Sequence, residues 1–524
     1  MAHSRVAVGR GATSLYIANV VVLVANTLYF LILTNVLHST LDVGIVTALN
    51  LTIWFLVTVC LLAQPVTMQS PIPAPLAVLK FIPELIARKA RPGAARMFML
   101  SFGIAAAISL GIGAVLIVFP SAVAPLLGGT AVLPMFIQLA AVDVILLSLD
   151  QVCFASLIAV GEMRRATIYI ILWSVARYVL ASVFLFNYAI AGVLGGWIIG
   201  DGVLLAVAVR KSIGIFGIGR GGEREREFSM AEFAKYSSIT FVSALIGYAI
   251  NQADKLFTLA RQGLPQLAIY NVAIVAASFS GMAPYALTTV LLPALSSLHA
   301  ANEVQEIRQL VRHYSRYVAI IVIPVAFGFA SITEVALRIF GAAYVSGLVP
   351  SVIVSLTIGL TAVGAVYAAV LLAVGELRWY TGANVAGLGS LAVVAYLATP
   401  VLGLSGPALG RASLMVLAAL VYGYAASRSG FFELDVKAFA CAAASSMLMG
   451  AVVFFGLSLF HTYLTKLMMV PAFAVVGALV YLGCLRALRL LQKDDLEFIR
   501  DIAPEKLHPL VAIVARIAGV SSRE

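Results

Sequence analysis

Residues 348–373 read LVPSVIVSLTIGLTAVGAVYAAVLLA, a run without one charged side chain. As a helix it measures about 39 Å at 1.5 Å per residue, enough to cross the roughly 30 Å hydrocarbon layer of a bilayer with some tilt. In water it would have no polar face to present. In lipid it satisfies its backbone amides internally, which is what a spanning segment must do. Comparable runs recur at 13–37, 41–63, 94–119, 131–157, 166–186, 189–209, 237–260, 267–295, 317–340, 380–400, 406–426, 439–460 and 467–488. Composition agrees: of 524 residues 62% are hydrophobic and 11% charged, where a soluble domain carries about 25% charged residues. The sequence predicts an all-α polytopic membrane protein with about fourteen transmembrane helices.

Charge tests that count independently. With an even number of helices both termini lie on one side, and basic residues concentrate in cytoplasmic loops. Of the 34 Lys and Arg, Arg177, Lys255, Arg338 and Arg411 fall within helices, and Arg261 and Lys466 in loops opposite the termini. All the others fall on the terminal side. The expectation is a multi-pass protein of the cell (plasma) membrane with both termini cytoplasmic. The net charge of +11 is therefore a topology signal, and no nucleic-acid partner is expected.

The loops give the domain organisation. Arg220 to Glu227 mixes both charge signs with glycine, as a flexible linker does. The expected layout is an N-terminal lobe of six helices at 1–210, a cytoplasmic linker at 211–236, a C-terminal lobe of six helices at 237–427, two further helices at 428–491 and a cytoplasmic tail at 492–524. A weak echo links the two halves: Arg10, then a helix, then Asp42, Val43 and Gly44; Lys235, then a helix, then Ala268, Ile269 and Tyr270. The stretch from Gln64 to Gly93 holds six prolines, then Lys80, Glu84, Arg88, Lys89 and Arg91 among apolar residues, and is expected to skim the inner membrane surface.

Enzyme chemistry finds little support. There is no Walker loop, HExxH or GxSxG, and the six histidines have no ligand spacing. Cys60, Cys153, Cys441 and Cys484 lie inside apolar runs without CxxC spacing, so they read as small core hydrophobes. No cofactor, metal or catalytic residue is expected. A polymerase or ligase would need a large external loop, and the longest here are about ten residues.

Polar residues inside helices carry more information, because each is costly in lipid. Asn19 and Asn26 share a face of the first helix. The seventh carries Asn251, Asp254, Lys255, Thr258 and Arg261 at steps of three or four, and the eighth carries Asn271, Ser278, Tyr285 and Thr289. Three such stripes read as the walls of a substrate cavity; hydrogen bonding between helices is the alternative. Snorkelling to the interface competes as an explanation of Lys255. Glu334 and Arg338 are spaced as a local ion pair. A second group lies at mid-depth: Asp143 and Asp201 about 18 Å below the outer ends of their helices, and Arg177 about 16 Å above the inner end of its own. An unpaired Arg there is expensive, so a buried network of the three is expected. With two acids for one Arg, the surplus carboxyl would bind and release a proton or sodium ion, an ion-coupling role for Asp143, Arg177 and Asp201. A static pair joining three helices is the competing reading.

From Asn251 to Tyr344 the pattern becomes specific: Asp254 and Lys255 near a helix end, Ala268, Ile269, Tyr270 and Asn271 after a turn, Leu292 and Pro293, an Arg-rich segment with Arg308, Arg312 and Arg316, then Phe340, Gly341 and Tyr344. With Asp42, Gly44 and Pro83 to Ile86, the chain resembles the Wzx-type polysaccharide flippases of the multidrug, oligosaccharidyl-lipid and polysaccharide exporter superfamily. It departs from them at Ile269, where glycine is usual, and in the prolines between Pro65 and Pro75. The resemblance implies two six-helix lobes around a central cavity, two additional C-terminal helices, and alternating access by rocking of the lobes. The function it implies is translocation of a polyprenyl-linked oligosaccharide from the cytoplasmic to the outer leaflet, with that substrate and membrane lipids as partners. A cation-coupled multidrug or metabolite antiporter of the same superfamily is the alternative.

Overall fold

The computed structural model describes residues 2–68, 74–216, 229–488 and 490, without the side chains of 2–19, 130 and 282–290. Among the described residues there are sixteen α-helices, a few 3-10 turns and no strand. Contacts divide the chain into two units, Met1–Asn271 and Val272–Glu524.

The first unit holds α1 (Ala2–Leu37), α2 (Thr40–Leu61), α3 (Ala77–Ala87), α4 (Arg91–Val118), α5 (Pro120–Val123), α6 (Pro134–Ala159), α7 (Met163–Phe216), α8 (Met230–Gln262) and the start of α9 (Leu264–Ser278). Ser39 caps α2 by accepting from the Asp42 amide at 3.3 Å, and Asp42 adds negative charge where the helix dipole favours it. Gly44 sets the approach of α2 to α9: a Cβ there would stand 2.1 Å from the Leu264 carbonyl oxygen. Tyr248 of α8 donates to the Leu51 carbonyl of α2 at 2.7 Å.

The second unit completes the chain with α10 (Met282–Ala300), α11 (Val304–Phe340), α12 (Leu348–Ala373), α13 (Leu377–Leu402), α14 (Ser405–Arg428), α15 (Val436–Ser458) and α16 (Tyr463–Ala487). Asn384 of α13 donates to the Tyr422 hydroxyl of α14 at 2.6 Å. Tyr481 of α16 donates to the Ile320 carbonyl of α11 at 2.8 Å. Such bonds hold helices together where lipid offers no hydrophobic drive for association.

Thirteen described helices are long and apolar enough to cross a membrane. One of them, α7, has 54 residues and folds back at Ala189, so it supplies two crossings and the total matches the expected fourteen. The turn is sharp. Ala189 has φ 48° and ψ −130°, and Gly403, between α13 and α14, has φ 54° and ψ −127°. Three and seven residues on, both turns place glycines whose Cβ positions are blocked: Gly192 and Gly196 in the first unit, Gly406 and Gly410 in the second. The two units thus repeat a local motif that the weak sequence echo did not reveal.

Two expectations need correction, the unbroken eighth helix and the Glu334–Arg338 pair, and two further segments are defined. The eighth predicted helix is broken: α9 ends at Ser278, a 3-10 turn spans Phe279–Gly281, and α10 begins at Met282. In the proline-rich stretch, α3 buries Ala77, Val78, Phe81, Ile82 and Leu85 and packs on α4 and α6, so its apolar face meets protein. Glu334 accepts from Lys466 of α16 at 3.2 Å and not from Arg338. The Arg-rich segment is the first part of α11 and is engaged: Arg308 donates to the Gly430 carbonyl at 2.7 Å, and Arg316 pairs with Asp435 at 2.6 Å and donates to the Leu490 carbonyl.

Candidate functional site

The strongest concentration of buried charge lies in the first unit, and glycine creates it. The second arm of α7 places Gly192, Gly196 and Gly200 four residues apart on one face. A Cβ on these would stand 2.2 Å from the Phe184 carbonyl oxygen, 2.3 Å from the Ala181 nitrogen and 2.9 Å from the Arg177 Cα. The two arms therefore touch backbone to backbone, as small-residue faces permit. Asp201, next after Gly200, is thereby brought against Arg177 on the first arm.

Asp143 arrives from α6, which packs along α7. Its two carboxyl oxygens accept from Arg177 at 3.1 and 2.8 Å, a two-toothed pair. Asp201 accepts from the same guanidinium through Oδ2 and from the Trp173 indole through Oδ1 at 3.0 Å. The guanidinium carbon also lies 4.6 Å from the Trp197 ring centre, within cation–π range. Tyr29 of α1 stacks on Tyr178 at 5.2 Å and closes the side. Asp143 and Asp201 are fully buried and Arg177 is 1% exposed. Removing Arg177 from this cluster leaves two buried acids without a cation, at a cost of about 3–5 kcal/mol.

A fourth titratable group lies on the same face of α6. Asp150 lies seven residues beyond Asp143 on α6, two helical turns along the same face, and is fully buried. Asp143, Asp201 and Arg177 all act on it electrostatically. Sequence reading missed it, although its seven-residue spacing from Asp143 matches that of Asn19 and Asn26. Trp173, Trp197 and the three glycines were missed as well, because nothing in a single helix announces which face meets another backbone.

The expected cavity residues can be placed one by one. Asp254 is buried and accepts from the Tyr270 hydroxyl at 2.9 Å. Thr258 is buried and donates to the Asp254 carbonyl at 2.8 Å. Asn251 donates to the Gly247 carbonyl at 3.0 Å, and Ser278 to the Ile274 carbonyl at 2.7 Å. Lys255 is half-buried, Arg261 is exposed with its guanidinium 5.9 Å from the Phe257 ring, and Asn271 is buried. Asn26 is half-buried on α1. The side chains of Asn19 and Tyr285 lie outside the described residues. Among the described residues no cluster of His, Cys, Asp and Glu is arranged to hold a metal ion.

No family model matches the sequence, and no curated protein does. Solved structures do. The lipid II flippase MurJ, in an inward closed conformation, matches with a TM-score of 0.64 at 12% identity, over 90% of this chain and 97% of MurJ. An inward-facing multidrug resistance MATE transporter of the MOP superfamily matches at 0.61 and 14% identity, over 79% of this chain and 98% of its own. A variant of the Vibrio cholerae MATE transporter VcmN matches at 0.56 and 18%, over 82% and 99%. At these identities the likeness is one of fold. The chain is a multi-pass membrane protein with the fold of the MOP-superfamily transporters, and the neighbours are transporters rather than enzymes.

Proposed function

We propose that the protein is a flippase, moving a polyprenyl-diphosphate-linked oligosaccharide from the cytoplasmic to the outer leaflet of the cell membrane by alternating access. The observation that carries this reading is the match to the lipid II flippase MurJ over nine-tenths of the chain. The MATE structures cover only about four-fifths of this chain while being matched over nearly all of their own length. Two six-helix lobes around a central cavity would hold the sugar and diphosphate, with the lipid tail outside in the bilayer. Lys255 and Arg261 are the cationic groups for the diphosphate, and Asn19, Asn26, Asn251, Asn271, Ser278 and Tyr285 the polar groups for sugar hydroxyls, with Asp254 and Thr258 shaping the α8 wall. Both termini are cytoplasmic in this proposal, following the bias of Lys and Arg.

The buried cluster supplies the drive. Asp143 and Asp201 compete for Arg177, so a change in their spacing as helices rock would alter which acid holds the charge. Proton or sodium movement would thereby be linked to transport. That cluster also favours a second reading, a cation-coupled antiporter of drugs or metabolites.

Proteoliposomes separate the two. Purified protein should move a fluorescent polyprenyl-diphosphate oligosaccharide between leaflets, measured by loss of protection from a membrane-impermeant quencher. Failure to move that lipid, with extrusion of cationic dyes, would replace the flippase reading with the antiporter.

A further inference from the structure

The first unit's charge cluster is one acid larger than its ion pairs require. Arg177 is shared by Asp143 and Asp201, and Asp150 lies two turns along α6 from Asp143. Neither carboxyl oxygen of Asp150 has a hydrogen-bond partner among the described residues, and the side chain is fully buried. An ionised carboxylate in that position would be both desolvated and repelled by two neighbouring acids; such groups are held neutral instead.

We propose that Asp150 is a proton-binding site, carrying a proton while Asp143 and Asp201 hold the charge of Arg177, and that its proton exchanges toward the end of α6 at Ala159. The placement supports the path. Asp143 and Asp150 are about 10.5 Å apart along α6, and Cys153, one turn further, interacts with both Asp150 and Ser212 of the second arm of α7. The Gln151 side-chain amide nitrogen is also buried without a hydrogen-bond partner among the described residues. Cys153 and Ser212 therefore lie beyond Asp150 toward Ala159, whereas Gln151, which accepts from Thr67 at 3.1 Å, points to another face of α6. In the exchange the Asp150 O–H bond breaks, the proton passes to water or to a neighbouring carboxylate, and Asp150 is left as the anion.

The groups that set its charge can be named. On α6 they are Asp143 and Cys153; on α7, Asp201 and Arg177. On α2, which packs on α6, the buried titratable side chain is Cys60. On α3 and α4, Lys80, Glu84 and Arg91 are exposed and Arg96 is half-buried. Among the described residues, Arg177 is the basic side chain that acts on Asp150.

The inference concerns the same cluster as the coupling proposed above but stands whatever the substrate is. It is tested by infrared difference spectroscopy of the purified full-length protein in lipid, titrated with acid and base. The wild type should show the C=O band of a protonated carboxyl at neutral pH, and Asp150→Asn, isosteric with the neutral acid, should lose it. A band unchanged in Asp150→Asn overturns the proposal. Should that variant not accumulate, carbodiimide labelling of the wild type decides, because this apolar reagent modifies neutral carboxyls within membranes. An adduct on the Asp150 peptide that fades as pH rises supports the site; adducts confined to Asp143 or Asp201 contradict it. Sodium binding lost in Asp150→Asn with no C=O band in the wild type would make it a cation site and also refute the proposal. Loss of the band in Asp150→Asn by a wild type that moves no lipid-linked oligosaccharide would sink the flippase reading and leave the proton site standing.

Discussion

Gly200 lies against Arg177 so closely that a Cβ on the glycine would stand 2.9 Å from the arginine Cα. The buried ion pairs depend on that approach, since Asp201 follows Gly200 directly. Gly200→Ala should destabilise by about 1–3 kcal/mol through overpacking, and Gly196→Ala by more, its Cβ meeting the Ala181 nitrogen at 2.3 Å. Gly195→Ala is the control, with nothing within 4 Å, and should be neutral or gain up to about 1 kcal/mol from helix propensity. Thermal unfolding in detergent, followed by size-exclusion chromatography, ranks the three; equal midpoints would mean the arms do not touch at this face.

Ala189 makes the opposite prediction. At φ 48° and ψ −130° it occupies a conformation suited to glycine, and Gly403 holds the matching position in the second unit. Ala189→Gly should raise stability by about 1 kcal/mol, while Gly403→Ala should lower it by a similar amount. Opposite signs for the pair are the outcome to measure by the same thermal assay.

For Arg177, removal of the cation leaves two buried carboxylates facing each other. Arg177→Met alone should cost about 3–5 kcal/mol, and adding Asp143→Asn and Asp201→Asn should restore much of the loss. Protein yield and midpoint temperature of the single and triple variants test this. A triple variant no better than the single would show that the cluster is not an electrostatic unit.

Asp435 provides a pH test outside the spans. Burial pushes its carboxyl up, but the Ala438 amide at 2.9 Å and the Arg316 guanidinium outweigh this and hold it below the usual carboxylate range. Because the native value lies below the unfolded value of about 3.9, its contribution is fully present above the unfolded value. It is lost as pH falls through the native one. Asp435→Ala should cost about 1 kcal/mol or more at neutral pH through the lost helix cap and ion pair. The wild type and variant should converge at acid pH. A difference that stays constant down to the lowest pH would refute the assignment.

How much of this was legible follows from what a sequence encodes locally. Hydropathy and the side-to-side bias of Lys and Arg yielded the number of crossings, because each helix meets the bilayer on its own. Depth along a helix placed Asp143, Arg177 and Asp201 at a common level, and the structure brings those side chains into contact. What a stripe's polar groups bond to was not legible: Asp254 accepts from the Tyr270 hydroxyl of the next helix at 2.9 Å, a partner that the spacing within α8 does not name. The break at Phe279–Gly281 did carry a signal, Gly281 in the turn and Pro284 in the first turn of α10, which cannot continue a preceding helix and was passed over, as was Asp150, which has no basic residue at helical spacing to suggest a pair.

The central claim is the proposal that this protein moves a lipid-linked oligosaccharide, and depletion of the protein in its native host tests it most directly. Lipid-linked oligosaccharide should then accumulate on the cytoplasmic leaflet, and wild-type protein should clear it while Asp143→Asn and Asp201→Asn, present at equal level, clear it more slowly with an altered dependence on pH. Normal surface glycan without any accumulation in depleted cells, together with a new sensitivity to cationic dyes, would contradict the account.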